Sequence, residues 1–98
     1  MTELVYTEHA LVDLERLSDF LLETDPQAAQ DTAVLVFDAL EILVQHPDIG
    51  RKVHGGQREL VISRGRTGYL ALYRFLTHID CIVVLALRHQ REAGYTGS

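Results

Sequence analysis

Several kinds of residue and segment are scarce in this chain of 98 residues, which has one cysteine, two prolines, one lysine and no tryptophan. A single cysteine leaves no internal disulfide, and Cys81 lies in the apolar run CIVVLAL, so we expect a buried, reduced thiol. No apolar run approaches the roughly 18 residues that a membrane helix needs. The N-terminus also lacks the basic, apolar and small-residue succession of a signal peptide. These absences predict a cytoplasmic protein without a membrane partner.

The sequence patterns of several enzyme and metal-binding classes are also missing. There is no nucleotide phosphate loop, no zinc-ligand spacing and no serine-hydrolase elbow. Four histidines fall on different predicted elements without ligand spacing: His9, His46, His54 and His78. We therefore expect no metal and no cofactor. Repeats, low-complexity tracts and linkers are absent too, which predicts one domain over residues 1–98.

Charge is divided unevenly along the chain. Residues 1–50 hold eleven acidic residues and one basic residue, a net charge of −10, whereas residues 51–98 hold eight basic and three acidic residues, a net charge of +5. The total of −5 therefore hides an acidic half joined to a basic half. This asymmetry indicates that the C-terminal half faces an anionic partner, either nucleic acid or an acidic protein. The alternative is that the arginines only decorate a sheet.

The apolar pattern of the first half predicts a helical hairpin. After a short extended segment at residues 4–6, Thr7 is suited to cap a helix over residues 8–23, in which apolar residues are spaced by three and four. Asp25 and Pro26 suit the start of a second helix, and His46 with Pro47 ends its pattern. We expect the two helices to pack antiparallel.

The second half is typical of strands. Segments 58–63, 69–77 and 79–87 are rich in β-branched and aromatic residues and are separated by turn residues. The order β-α-α-β-β-β predicts an α+β fold with the helical hairpin on one face of a small, mainly antiparallel sheet, and the opposite face left for function or a partner. Six residues are expected to be buried where the hairpin meets the sheet: Leu14, Leu17, Val36, Leu40, Val83 and Leu85.

The basic residues of the second half form the candidate functional site, because neighbouring strands can bring them to one face or rim. Guanidiniums hold phosphate oxygens through forked hydrogen bonds, and an imidazole transfers protons at neutral pH, so the set suits a phosphodiester. The candidates for catalysis are Arg58, Arg74, His89 and Tyr95, and those for nucleic-acid or target contact are Arg64, Arg66, Arg88 and Arg91. The structural alternatives are ion pairs with Glu59 or with helix carboxylates for the arginines, and a cap at the end of the sheet for the histidine.

Five elements in chain order resemble the toxins of the ParE/RelE superfamily over nearly the whole chain: ALVDLERL, LVQHPDIGR, REL, a tyrosine-rich strand ending in YR, and RHQRE. The resemblance implies the toxin of a type II toxin–antitoxin (plasmid stabilisation) system, held inactive by a cognate antitoxin. RelE-like members cut mRNA in the ribosomal A site, whereas ParE-like members poison DNA gyrase and are not known as nucleases. The resemblance places Arg58 at the arginine that opens the second strand of the RelE-like site. It places His89 at the arginine or histidine after the last strand, and Tyr95 at a C-terminal tyrosine.

The charge of the chain favours one of these two branches. Many RelE-like toxins are strongly basic and rich in lysine, but this chain is acidic and has Lys52 alone. An acidic protein is a poor general ribosome binder unless its basic face is well segregated. We therefore expect ParE-like poisoning of DNA gyrase, with RelE-like, ribosome-dependent mRNA cleavage as the alternative. A third reading is a degenerate toxin that retains only antitoxin binding. Whether the protein is an enzyme depends on this choice, and a homodimer is left open.

Overall fold

A computed structural model of the protein describes residues 1–23, 25–64, 67–92 and 94–95, without the side chains of residues 63, 64 and 67. Two helices and five strands follow one another along the chain. They are β1 (Glu3–Tyr6), α1 (Glu8–Leu22), α2 (Pro26–Gln45), β2 (Arg51–Val53), β3 (Gln57–Arg64), β4 (Thr67–Leu76) and β5 (Cys81–His89). Short 3₁₀ turns precede β3 and β5. Within the described residues, neither helix is long and apolar enough to cross a membrane.

Both helices begin at the predicted caps. The Thr7 side-chain oxygen accepts a hydrogen bond from the backbone N–H of Ala10 at 3.1 Å. At the start of α2, Asp25 accepts from the backbone N–H of Ala28 at 3.1 Å, and Pro26 takes the first helical position. Because the first N–H groups of a helix have no partner within the helix, these side chains fix where each helix starts.

The five strands form one sheet in the order β1-β5-β4-β3-β2. β1 runs parallel to β5, and every other neighbouring pair is antiparallel, so the predicted α+β architecture is confirmed. The edge strand β2 was not predicted from the sequence. It has only three residues, two of them charged, and therefore shows no apolar alternation.

The core fills the space between the helical hairpin and one face of the sheet, which we call the helix face. Leu14, Leu17, Val36 and Leu40 are buried there as predicted, and Tyr73 is fully buried beside them. Tyr69 and Phe75 also pack in or against this core, as expected of structural aromatics. The free thiol of Cys81 is buried.

The prediction for β5 was wrong in detail, because Val83 and Leu85 are only half-buried. The core residues of this strand are Ile82, Val84 and Leu87. The pattern CIVVLAL has no polar alternation that could have revealed which residues face the helices. An irregularity in the pairing of β5 with β4 also shifts the alternation partway along the strand.

Candidate functional site on the two faces of the sheet

The face of the sheet away from the helices, which we call the open face, has a buried carboxylate at its centre. Glu59 is only 5% exposed. It lies opposite Leu72 in the sheet, whose chain neighbours point into the core, so its side chain is on the open face. The Tyr95 hydroxyl donates to Glu59 Oε2 at 2.6 Å, and Arg51 Nε donates to Glu59 Oε1 at 2.9 Å. The Tyr95 side chain therefore covers Glu59 on the open face.

Arg88 completes this cluster of Arg51, Glu59, Arg88 and Tyr95, which we call the Glu59 cluster. The Arg88 guanidinium lies 5.2 Å from the centre of the Tyr95 ring, a cation–π distance. It also donates to the backbone carbonyl of Glu92 at 2.7 Å. A cation, an aromatic ring and an ionised acid are thus packed against one another on the sheet surface.

The cluster perturbs both of its acidic groups. Burial raises the pKa of the Glu59 carboxyl, but hydrogen bonds from Tyr95 and Arg51 and the charges of Arg51 and Arg88 outweigh burial and leave this pKa lowered. The pKa of the Tyr95 phenol is strongly raised by burial, by its hydrogen bond to Glu59 and by the negative charge of Glu59. At neutral pH the cluster therefore holds an ionised Glu59 and a protonated Tyr95.

Arg74 and Arg58 lie near this cluster but on different faces. Arg74 pairs with Val83 on the open face, and its guanidinium donates to the backbone carbonyl of Gly55. Arg58 pairs with Tyr73, so it starts on the helix face, where it donates to the carbonyl of Gly50 at 2.8 Å. Arg58 is thereby tied to the loop that follows α2.

Further interactions fix this loop besides that hydrogen bond. The Arg58 guanidinium also forms an ion pair with Asp48 at 3.4 Å. The Tyr73 hydroxyl donates to the carbonyl of Pro47 at 2.8 Å and accepts from the N–H of Gly50 at 2.9 Å. A Cβ atom at Gly50 would lie 2.6 Å from that hydroxyl oxygen, so only glycine fits. This geometry gives Arg58 a clear structural role.

His89 lies on the helix face at the end of β5. Its ring meets the ring of Tyr69 edge to face at 5.3 Å, and its Nδ1 accepts the backbone N–H of Arg91 at 3.1 Å. The backbone N–H of His89 in turn donates to Glu92 at 2.9 Å. His89 therefore closes the end of the strand, the structural alternative that the sequence left open for it.

Beside His89 there is a groove of about 590 Å³, which we call the Phe20 groove. Its floor is apolar and its rim is charged. Phe20 itself is 80% exposed, although Leu17 and Tyr69 in the same groove are buried. Arg16 on the rim is bound to Glu92 at 3.0 Å. The lining residues are Arg16, Leu17, Phe20, Leu21, Tyr69, His89, Arg91 and Glu92.

The structure divides the predicted site residues instead of bringing them to one rim. Arg74, Arg88 and Tyr95 lie on the open face, whereas Arg58 and His89 lie on the helix face. Arg91 is exposed in the turn after β5. The side chain of Arg64 and the whole of Arg66 lie outside the described residues. The sequence analysis did not predict the central position of Glu59. An acidic residue directly before the apolar run LVI could have indicated a polar group on the sheet.

Comparison with known proteins identifies the family. The model of the ParE toxin of type II toxin–antitoxin systems (parDE) matches residues 4–94 of this chain. The chain belongs to the ParE toxin family. Toxin RelE3 of Caulobacter vibrioides is 38% identical over 80 residues, which are 82% of this chain and 85% of that toxin. Toxin RelE1 of the same bacterium is 39% identical over 64 residues, 65% of this chain and 69% of that toxin.

Solved structures share the fold at lower sequence identity. A chain of a chromosomal ParDE TA system from P. aeruginosa aligns with a TM-score of 0.74 and 22% identity, covering 91% of this chain and 96% of that chain. A chain of the E. coli RelBE toxin–antitoxin complex aligns with a TM-score of 0.56 and 16% identity, covering 94% and 100%. Both ParE and RelE names occur among the similar proteins. The protein is therefore a type II toxin of the ParE/RelE superfamily, as its sequence elements indicated.

Proposed function

We propose that this toxin stops growth by binding DNA gyrase and trapping its DNA breaks, and that a cognate antitoxin neutralises it in the cytoplasm. The observation that carries the proposal is the placement of the two candidate proton-transfer groups. His89 lies on the helix face and Tyr95 on the open face of the same sheet. A phosphodiester bound on one face cannot reach both groups, because acid–base catalysis needs each group within hydrogen-bond reach of the reacting atoms.

The state of Tyr95 also disfavours RNA cleavage. Its hydroxyl is held by Glu59, and the raised pKa of the phenol keeps it protonated at neutral pH. A general base must be deprotonated at the working pH in order to accept a proton, and this phenol is protonated. Tyr95 is therefore better suited to shape a contact surface than to take a proton from a ribose hydroxyl.

The open face is the proposed contact surface for gyrase. It carries Arg74, the exposed side chain of Val61, and Arg88 against the ring of Tyr95. Arginine and tyrosine are enriched at protein interfaces because each offers apolar area together with hydrogen bonds. The net charge of −5 and the single lysine fit a protein target better than the phosphate-rich ribosome.

The Phe20 groove is the proposed seat of the antitoxin. Phe20 is exposed on this groove, and Arg91 is an exposed cation on its rim. The occupant that fits is an antitoxin segment with an apolar side chain for Phe20 and a carboxylate for Arg91. The structures that resemble this chain come from toxin–antitoxin complexes, which supports such a partner.

A RelE-like ribonuclease is the second candidate, favoured by the 38% identity to Toxin RelE3. The two candidates differ in their products, so purified toxin is added to a gyrase supercoiling reaction and to a translating ribosome. Gyrase poisoning predicts stabilised DNA breaks and intact mRNA, and ribosome-dependent mRNA cleavage would overturn it. Arg88→Ala should weaken gyrase inhibition, whereas Lys52→Ala removes the same charge from an exposed site off the open face and should not.

A further inference from the structure

An irregularity in β5 decides which face of the sheet Arg88 and His89 each occupy. On β4, the consecutive residues Leu72 and Tyr73 pair with Ala86 and Val84, so Leu85 is an extra residue on β5. Val84 faces the helices with Tyr73, whereas Ala86 faces away with Leu72. In a regular strand, residues two apart share a face, so this β-bulge reverses the alternation for the rest of β5.

The polar groups around the bulge are bound by α1 and its cap. The Thr7 hydroxyl donates to the carbonyl of Leu85 at 3.1 Å, and His9 Nδ1 lies 3.3 Å from the same oxygen. Two residues further along β5, the backbone N–H of Leu87 donates to Asp13 Oδ2 at 2.9 Å. Bulges disrupt the strand ladder locally, and here side chains of α1 and of its N-cap residue supply hydrogen-bond partners.

Asp13 is the buried member of this set, with only 2% of its surface exposed. Its other close contacts are His9 Nδ1 at 3.3 Å and Arg16 at 3.6 Å. A buried carboxylate is costly unless it is paired and hydrogen-bonded, and a buried N–H without an acceptor is costly as well. The carboxylate and the Leu87 N–H therefore stabilise each other only while the bulge is present.

We propose that Asp13 is a positioning residue that holds the β5 bulge and thereby sends Arg88 to the open face and His89 to the Phe20 groove. Without the bulge, the alternation set by Val84 would turn Arg88 toward α1 and Leu87 toward the open face. The two surfaces to which we assign gyrase and antitoxin would then exchange residues. Their assignment rests on the proposed function, but the positioning itself does not.

The test is nuclear magnetic resonance of the free protein with Asp13→Leu, Asp13→Asn and the control Asp19→Leu. Asp19 is exposed on the same helix, so its variant matches the change in charge and side-chain size. We expect Asp13→Leu to lose the ring contacts between His89 and Tyr69, and Asp13→Asn, which keeps an acceptor, to retain them. Asp19→Leu should match the natural protein. Retention of the ring contacts in Asp13→Leu would overturn the proposal.

Amide hydrogen exchange keeps the proposal falsifiable if Asp13→Leu does not fold. A neutral acceptor binds an N–H less strongly than a carboxylate, so Leu87 in Asp13→Asn should exchange about tenfold faster than in the natural protein, relative to Ile82 on the same strand. An unchanged ratio would show that Asp13 does not hold the bulge. Neither readout involves gyrase, so failure of the proposed target would leave this result standing.

Discussion

At the scale of single residues, Glu59 carries the most specific polar chemistry on the open face. Its carboxylate is buried and is held by Tyr95 and Arg51, with Arg88 nearby. The neighbouring residues in RELVI predict neither the burial of this carboxylate nor its partners. Strand pairing brings Arg51 beside Glu59, and Tyr95 reaches it from 36 residues further along the chain. Both contacts join residues that are not sequence neighbours.

Acid should weaken the fold through Glu59. Since its folded-state pKa is lowered from an ordinary value of about 4.3, the ionised carboxylate stabilises the fold above that pH and loses this effect as pH falls through the folded-state pKa. Glu59→Gln should therefore be less stable at pH 7 and show a flatter decline in unfolding free energy below about pH 4.5. Urea unfolding at several pH values measures both. Parallel curves for the two proteins would contradict this role.

Leu40 tests the assignment of the core at the same scale. Its side chain is fully buried in α2 against the helix face. Leu40→Ala removes several methyl groups and leaves a cavity, which should lower the unfolding free energy by about 2–5 kcal/mol. Val34→Ala on the exposed side of the same helix is the control and should change it by less than about 0.5 kcal/mol. Similar losses for both variants would mean that the buried side of α2 is assigned wrongly.

At the scale of elements, the caps and the helical periodicity could be predicted because they depend on residues close together in sequence. Thr7, Asp25 and Pro26 mark the helix starts in both sequence and structure. The short strand β2 could not be predicted, because it is defined by its pairing with β3. The face to which each residue of β5 points could not be predicted either, because contacts with α1 stabilise the bulge in that strand. The same bulge decides which face receives Arg88 and which receives His89.

Thr7 should matter more than an ordinary cap. It accepts the Ala10 N–H and also donates to the Leu85 carbonyl in the bulge, whereas Asp25 caps α2 at an exposed site. Thr7→Ala should cost about 2 kcal/mol and Asp25→Ala about 1 kcal/mol of unfolding free energy. Thermal or urea unfolding of the two variants compares them directly. An equal loss for both would show that the bond to Leu85 adds nothing.

At the scale of the whole molecule, the two faces of one sheet are assigned to two partners. The Phe20 groove is assigned to the antitoxin, so Phe20→Ser should weaken antitoxin binding by about 30-fold, the effect of losing one interface hot spot. It should leave toxicity intact, because the open face is untouched. Leu22→Ser, at another exposed apolar site of α1, is the control. Loss of toxicity without loss of antitoxin binding would reverse the assignment.

Antitoxin binding should also be visible in the stability of the complex. A partner that binds only the folded state adds a free energy that grows with its concentration, about 2.7 kcal/mol at 100 times its Kd. Melting the toxin with increasing amounts of the product of the adjacent gene should therefore raise Tm steadily. A Tm that does not change with added partner would remove the support for a dedicated antitoxin.

Action of the open face on gyrase is measured most directly in a supercoiling reaction with purified toxin. We expect supercoiling to fall with added toxin, broken DNA to accumulate on the enzyme, and Arg88→Ala to require a higher concentration for the same effect. Lys52→Ala should behave like the natural toxin. Full supercoiling and intact DNA, at toxin concentrations that stop growth when expressed, would show that the open face does not act on gyrase.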